Sequence, residues 1–537
     1  MTLRPDPAKI IVPRRHGEVL IEPPLRELES VVRASRPPLD RGKSATSAGN
    51  LPFEQPLDQL QVTARQHLLA AATQWSVQIG APLPPPDAPN RPILLTGHQV
   101  EFYHSGVWAK VIAADALAKR CNATAFDLLV DHDTVDHQGF AVPVQSAAGD
   151  WSRQQIDFAA ASPLPADALD APTREQFEAW DAALAEHPQT HTDTMAFWLA
   201  ALHPAHFRES KIAYVPWLSR TRRRFEASLN LHVHHVPTSL LCTGPLWQQF
   251  VTAWIHNAPA WTAAYNRHLD AYRVEQGIKN PSRPMPNLAA SPGREGATYE
   301  LPFWIYASGT PRERLTLQMT ENGAKILHHG ERLDLSWVLG HSSLVIRPRA
   351  LTLTLYARLF FADLFLHGIG GAIYDQITDR LLADLFGTVP PYACVSAAWL
   401  LPLGPPGDSE DIPALTHRRH HLSHNPQLAI DPFTALKTGV AERITERKQI
   451  IADLAASVLF SRRNREEKLR RRQIFKRLHA LNAQLHAHAP RILQRLDDQL
   501  AAATRAAAQN QTLLHREFFL GLHTTAALET LIARIRE

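Results

Sequence analysis

The chain has 537 residues, with 56 Lys and Arg against 52 Asp and Glu, for a formal net charge of +4. So slight a balance over this length argues against a nucleic-acid partner. Hydrophobic residues make up 45%, enough for a sizeable core, and the three cysteines (Cys121, Cys242, Cys394) form no CxxC pair, which argues against a disulfide framework or zinc cage and fits a cytoplasmic setting.

Residues 1–92 read as an N-terminal lead-in rich in Pro and Arg, without the apolar segment of a signal peptide. It carries one helix over 56–80 (Leu57, Leu60, Leu68, Leu69, Trp75) and a proline-rich linker over 82–92. Residues 93–431 read as the core with insertions. The apolar run Ile93-Leu94-Leu95 is a predicted strand, and Thr96-Gly97-His98-Gln99 the loop after it. A helix follows over 107–119 with Val111, Ala114 and Leu117 on one face, then a buried strand over 126–130. Strand, Gly-bearing turn, helix and strand make a βαβ unit, which predicts an α/β fold with a Rossmann-like, mostly parallel sheet.

Further along, helices are expected over 174–202 and 246–277, and a strand over 211–215 that stops at Pro216. Segment 311–347 alternates like β-structure. A helix is expected over 351–366, where Arg358 and Asp363 argue against a membrane span, then a glycine break over 368–371 and another helix over 373–386. Between Pro432 and Pro490 there is no proline and one glycine, Gly439. Ile444, Ile451 and Val458 recur every seven residues, and Ile474, Leu478, Leu481 and Leu485 alternate four and three. This spacing predicts an α-helical coiled-coil arm over 432–512, with a last helix over 513–537, and a homodimer formed through the arm. The basic run 462–477 reads as the solvated face of a long helix rather than a polyanion site.

The chemistry-bearing residues fall in two blocks, each after a core strand: Thr96-Gly97-His98-Gln99, and Asp131-His132-Asp133 with Asp136 and His137. In open parallel sheets, loops after successive strands share one crevice, where ligands bind. Plainer readings stand beside this one. Thr-Gly is a common turn, and an acidic cluster after a strand is often a solvated loop or helix cap. Gly370-Gly371 would open a helix and offer backbone N–H groups to an anion; alternatively Gly368 closes the preceding helix as a C-cap.

The stretch 93–142 resembles the cysteine-adding enzymes of bacillithiol biosynthesis. Their pattern is a Thr-Gly-Gln-Gln loop, a Gly and a Lys-bearing helix, then a strand and Glu-Asp-His-Asp followed by another acid. Here these are Thr96-Gly97-His98-Gln99, Gly106, Lys110, and Val130-Asp131-His132-Asp133 with Asp136. His98 stands for a glutamine and Val130 for the leading glutamate. A looser likeness covers Arg347-Pro348-Arg349 and the run Gly370-Gly371-Ala372 with Tyr374, where Ala372 stands for a proline. The segment 150–330 lies outside the resemblance.

The resemblance implies an enzyme that forms an amide bond between cysteine and an anionic amino-sugar conjugate, a sugar–malate. Under it Asp131, His132 and Asp133 are the catalytic residues, an Asp as general base and His132 as proton shuttle. Thr96, Gly97, His98, Gln99, Gly106, Lys110, Asp136, Arg347, Gly370, Gly371 and Tyr374 bind substrate. Activating a carboxylate points to a nucleotide, although the chain has no GxxxxGK[ST] loop; no tightly bound metal is expected. Two rivals are a metal-dependent hydrolase using His132, Asp133, Asp136 and His137, and a non-catalytic scaffold that keeps the fold.

Overall fold

The computed structural model describes residues 3–35, 52–206, 212–321, 323–340, 343–407, 410–457, 465–488 and 490–537. It divides into two compact units, one of residues 1–144, 153–402 and 516–537, the other of residues 145–152 and 403–515. Strands follow in chain order: β1 (Glu18–Glu22), β2 (Ile93–Gln99), β3 (Thr124–Val130), β4 (Gly139–Gln145), β5 (Trp151–Asp157), β6 (His234–Pro237), β7 (Ala290–Ser291), β8 (Thr298–Ala307), β9 (Glu313–Thr320), β10 (Gly323–His328), β11 (Glu331–Asp334), β12 (Leu344–Pro348), β13 (Leu364–His367) and β14 (Tyr392–Ala398).

The first unit is mixed α/β. Its principal sheet has the order β1-β14-β13-β2-β3-β6. Every pair is parallel except the edge pair of β1 with β14. The central strands are apolar runs buried on both faces, as a sheet covered by helices on either side requires. The chain lays down β2, β3 and β6 outward in one direction, then returns to place β13 and β14 on the other side of β2. Successive connections therefore diverge at the carboxyl ends of β2 and β13, the place where open parallel sheets form a ligand crevice. Thr96 sits at this seam, fully buried, its hydroxyl donating to the Leu366 carbonyl at 2.9 Å.

A second, antiparallel sheet has the order β11-β10-β9-β8-β12, with β7 on β8. One apolar core serves both sheets, and in it Trp247, Phe250, Phe303, Tyr356 and Phe360 meet ring against ring.

Several elements differ from their sequence expectations. Residues 96–99 are not a loop. They continue β2 and pair in register with Asp127, Leu128, Leu129 and Val130. A Cβ at Gly97 would lie 3.0 Å from both the Cβ and the carbonyl oxygen of Leu128, so the glycine serves strand-to-strand approach. The apolar run 351–366 divides into the helix Ala350–Phe360 and strand β13, because Asp363 turns the chain and accepts from Arg65 at 2.6 Å and from the Ile93 N–H at 2.8 Å. The expected strand over 211–215 is instead the start of the helix Tyr214–Ser228. Pro216 lies in its first turn, where a missing N–H costs nothing; Lys211 lies outside the described residues. Gly368 is an N-cap, not a C-cap, and the helix Ile369–Phe386 begins directly after it.

The second unit is helical. Helices Ala441–Ser457 and Arg465–His486 lie side by side, tied by Arg447 to Asn482 at 2.7 Å and by Arg477 to Glu446. Leu481 and Leu485 are buried and Ile444 packs against the same small core, while Ile451 is exposed. Val458 and residues 462–464 of the basic run lie outside the described residues. Among the described residues, no helix is long and apolar enough to cross a membrane.

Candidate functional site

The site begins with what leaves the sheet at the crevice. Beyond Thr96, residues Gly97, His98 and Gln99 are partly exposed at the end of β2. Lys110 comes up from the helix Ser105–Cys121, almost wholly buried, and its ammonium donates to the Gly97 carbonyl at 2.6 Å. Burial pushes its pKa down to about 8. Gly106, in the first turn of the same helix, donates its N–H to His104 Nδ1 at 3.1 Å. A Cβ there would meet the His104 ring and the Ala397 carbonyl, so this glycine lets the helix lie on β14. His98 packs edge-on against Tyr103, and burial, then Lys110, hold its pKa well below the usual histidine range.

On the neighbouring strand, β13 ends at His367, and Gly368 lies within reach of the Lys110 side chain. The exposed Gly370 and Gly371 then open the helix Ile369–Phe386, whose first-turn N–H groups have no partner within the helix. Tyr374, one turn further on, is 38% exposed and has its ring against Tyr272.

The second block lies at the end of β3, and its three residues have unequal surroundings. Asp131 is buried and saturated. Its Oδ1 accepts from the Ser239 N–H at 2.9 Å and lies 2.9 Å from the Thr238 hydroxyl oxygen, and its Oδ2 accepts from the Ser239 hydroxyl. His132 is also buried. Nδ1 meets the Thr238 hydroxyl at 2.9 Å, and Nε2 the Pro348 carbonyl at 3.0 Å. A carbonyl only accepts, so Nε2 carries a proton. Burial pushes the imidazole down to about 4, so it stays neutral at pH 7 with no ring nitrogen free. The sequence expectation of a proton-shuttling His132 therefore lacks both the pKa and the accessible atom that it needs.

Asp133, by contrast, faces the crevice with its side chain 31% exposed. Oδ2 accepts from Gln99 Nε2 at 2.9 Å, and Oδ1 is paired with Arg312 at 2.6 Å. The Gln99 contact brings the two sequence blocks together across adjacent strands. Asp136 is exposed, as is His137, which lies 3.4 Å from Asp157. Arg347 is buried on β12, donating to the Cys242 carbonyl at 3.0 Å, and its charge acts on His132.

Three participants were not singled out in the sequence. Glu101 lies two residues past the end of β2; burial, then the charges of Asp136 and Asp133, raise it to about 7. Asp167, bonded by the Tyr306 hydroxyl at 3.3 Å, is raised to about 6 by burial and then by Asp131. Arg312 reaches in from the antiparallel sheet and lies 4.7 Å above the Trp304 ring. It holds the His132 carbonyl at 2.9 Å as well as Asp133. Spacing gives no hint of Arg312. Glu101 had one signal, a carboxylate just past a strand that ends at the crevice.

The carboxyl edge of the sheet thus carries an acid with a pKa near neutrality, a carboxamide fixed on a carboxylate, a buried lysine and a glycine-rich helix start. Such a set can take a proton and hold anionic oxygens. It does not gather a metal from the 131–137 block, since both nitrogens of His132 are engaged and His137 faces Asp157. A scan against protein-family models finds no match to this chain, and a search of curated proteins finds none either.

Proposed function

We propose that this chain is a divergent relative of the bacillithiol cysteine-adding enzymes, with a Rossmann-like core and a coiled-coil arm, and that it forms an amide bond on an anionic amino-sugar conjugate. The observation that carries the reading is the Gln99–Asp133 contact at 2.9 Å beside Glu101. It brings both blocks of the resemblance to one crevice and puts a base of suitable pKa next to them. An acceptor amine arrives as an ammonium and is no nucleophile until it loses a proton. Glu101, near 7, is matched to that task at physiological pH. Asp133, held by Gln99 and Arg312, keeps a fixed negative charge beside it that favours the cationic amine. The N–H groups opening the helix Ile369–Phe386 suit the carboxylates of a malate-like substrate, and the buried Lys110 charge beneath Gly97 adds a favourable field. Activation of the cysteine carboxylate is the chemistry a nucleotide would supply.

The direct test is to incubate the protein with ATP, cysteine and an amino-sugar–malate conjugate and to look for the amide by mass spectrometry. Product formation is expected. A folded protein that gives no product, and shows no thermal shift with the conjugate, would sink the proposal in favour of a scaffold. The homodimer through the arm belongs to the same reading, and sedimentation equilibrium at micromolar concentration should return twice the chain mass. A monomer there removes the dimer but leaves the chemistry.

A further inference from the structure

Far along the chain from both blocks, the antiparallel sheet brings two histidines and a glutamate together. Glu313 opens β9, His328 closes β10, and His329 begins the turn into β11. One ligating atom from each lies within 4.8 Å of the others, the one such group of three or more among the described residues. His328 Nδ1 stands 3.5 Å from Glu313 Oε2, and His329 Nδ1 3.4 Å from Glu313 Oε1. A tetrahedral zinc ion with ligands about 2.0–2.2 Å away requires donor-to-donor edges of about 3.3–3.5 Å. Both separations suit those edges, once the carboxylate turns one oxygen inward.

Two further observations point to a ligand. The His328 side chain is only 9% exposed, and its Nδ1 makes no hydrogen bond beyond the long 3.5 Å contact with the Glu313 carboxylate. A buried nitrogen so weakly satisfied needs an explanation, and an ion held between it and the carboxylate supplies one. His329 has φ +49° and Gly330 φ +81°, the left-handed pair of a tight two-residue hairpin turn. Asn is the residue favoured at the first of these positions. Histidine there holds its ring 4.1 Å from that of His328, on the side where Glu313 lies. Glu313 and His329, with side chains 44% and 68% exposed, leave an open path for entry, and Glu331, directly opposite His328 in the register, is a further carboxylate whose charge reaches His328.

We propose that Glu313, His328 and His329 bind a borderline divalent cation of the Zn²⁺ class, with water or Glu331 in the fourth position. The ion clips the β10–β11 turn to the start of β9. Glu313 directly follows Arg312, so the clip also fixes the segment that carries this arginine to Asp133. The site is separate from the 131–137 block and does not depend on the ligase reading.

The test is zinc binding by the full chain, stripped with EDTA and then freed of it, titrated with Zn²⁺ against a competing fluorescent indicator. One tight site per chain is expected. His329→Asn suits the turn geometry and should fold, while losing a ligand. Loss of a direct ligand costs at least what loss of an outer-shell partner costs, about 10–100-fold in affinity, and Glu313→Gln should do the same. His417→Ala with His421→Ala, on a separate exposed helix rich in histidine, should leave the tight site intact. Absence of a tight site in the wild type, or unchanged zinc affinity in His329→Asn, overturns the proposal.

Discussion

Glu101→Gln should lower turnover near pH 7 by about two to four orders of magnitude, the usual worth of a positioned general base. At the same time it should make the protein relatively more stable as the pH rises. Burial and the neighbouring carboxylates raise Glu101 from 4.5 to about 7 in the folded chain. Between those values the folded state holds a proton that the unfolded state has lost. Stability therefore falls as pH rises through this window, and the full cost is present above it. Gln cannot ionise and escapes that cost. Melting temperatures of both proteins across pH 4–9 should show the variant gaining on the wild type toward the alkaline side. A difference that stays flat with pH, or turnover left intact, would remove Glu101 from the site. His132→Ala should behave in the opposite way. It removes the buried partner of the Pro348 carbonyl, costing about 1–3 kcal/mol of stability, with turnover per folded molecule nearly unchanged.

The second large effect is expected at Arg358, which is fully buried. Its guanidinium bonds Asp375 at 2.6 Å and Asp379 at 2.7 Å, and lies 4.6 Å above the Tyr392 ring. Asp375 also bonds His367 at 2.9 Å, so the cation neutralises carboxylates that hold the end of β13 to the helix Ile369–Phe386. Arg358→Met keeps the bulk and removes the charge, leaving acids buried without their partner. Loss of about 3–5 kcal/mol is expected, read as a lower denaturation midpoint in urea with an unchanged slope. Asp379→Asn, which leaves Arg358 paired with Asp375, should cost clearly less. Equal midpoints for wild type and Arg358→Met would mean that the network contributes nothing to folding.

What was legible in the sequence was local. Apolar composition locates the helix Ser105–Cys121 and strand β3, because both are buried almost throughout. The end of β2 looks like a loop in the sequence because Thr96, Gly97, His98 and Gln99 are small or polar, and only pairing with Asp127–Val130 shows them extended. The run 351–366 was read as one helix because helix and strand are both buried there, and apolarity alone does not separate them. Pro216 looked like the end of a strand because a proline stops a strand and opens a helix equally well. The roles within Asp131-His132-Asp133 depend on Thr238, Ser239, Pro348 and Arg312, more than a hundred positions away in sequence. Nothing in the block itself says that two of the three residues are sealed and one faces solvent.

His132 has a mechanical consequence. Its ring bridges the carboxyl edge of the parallel sheet and the last residue of β12, and Arg312 crosses the same seam in the other direction to the His132 carbonyl and Asp133. The two sheets cannot part along this line without breaking charged and buried bonds together. That wall of the crevice behaves as a rivet. Across the end of the sheet, Gly370 and Gly371 present exposed backbone at the head of a helix, with no such cross-links among the described residues. The side that carries the acids is thus cross-braced between two sheets, whereas the glycines that open the helix stand clear of that bracing.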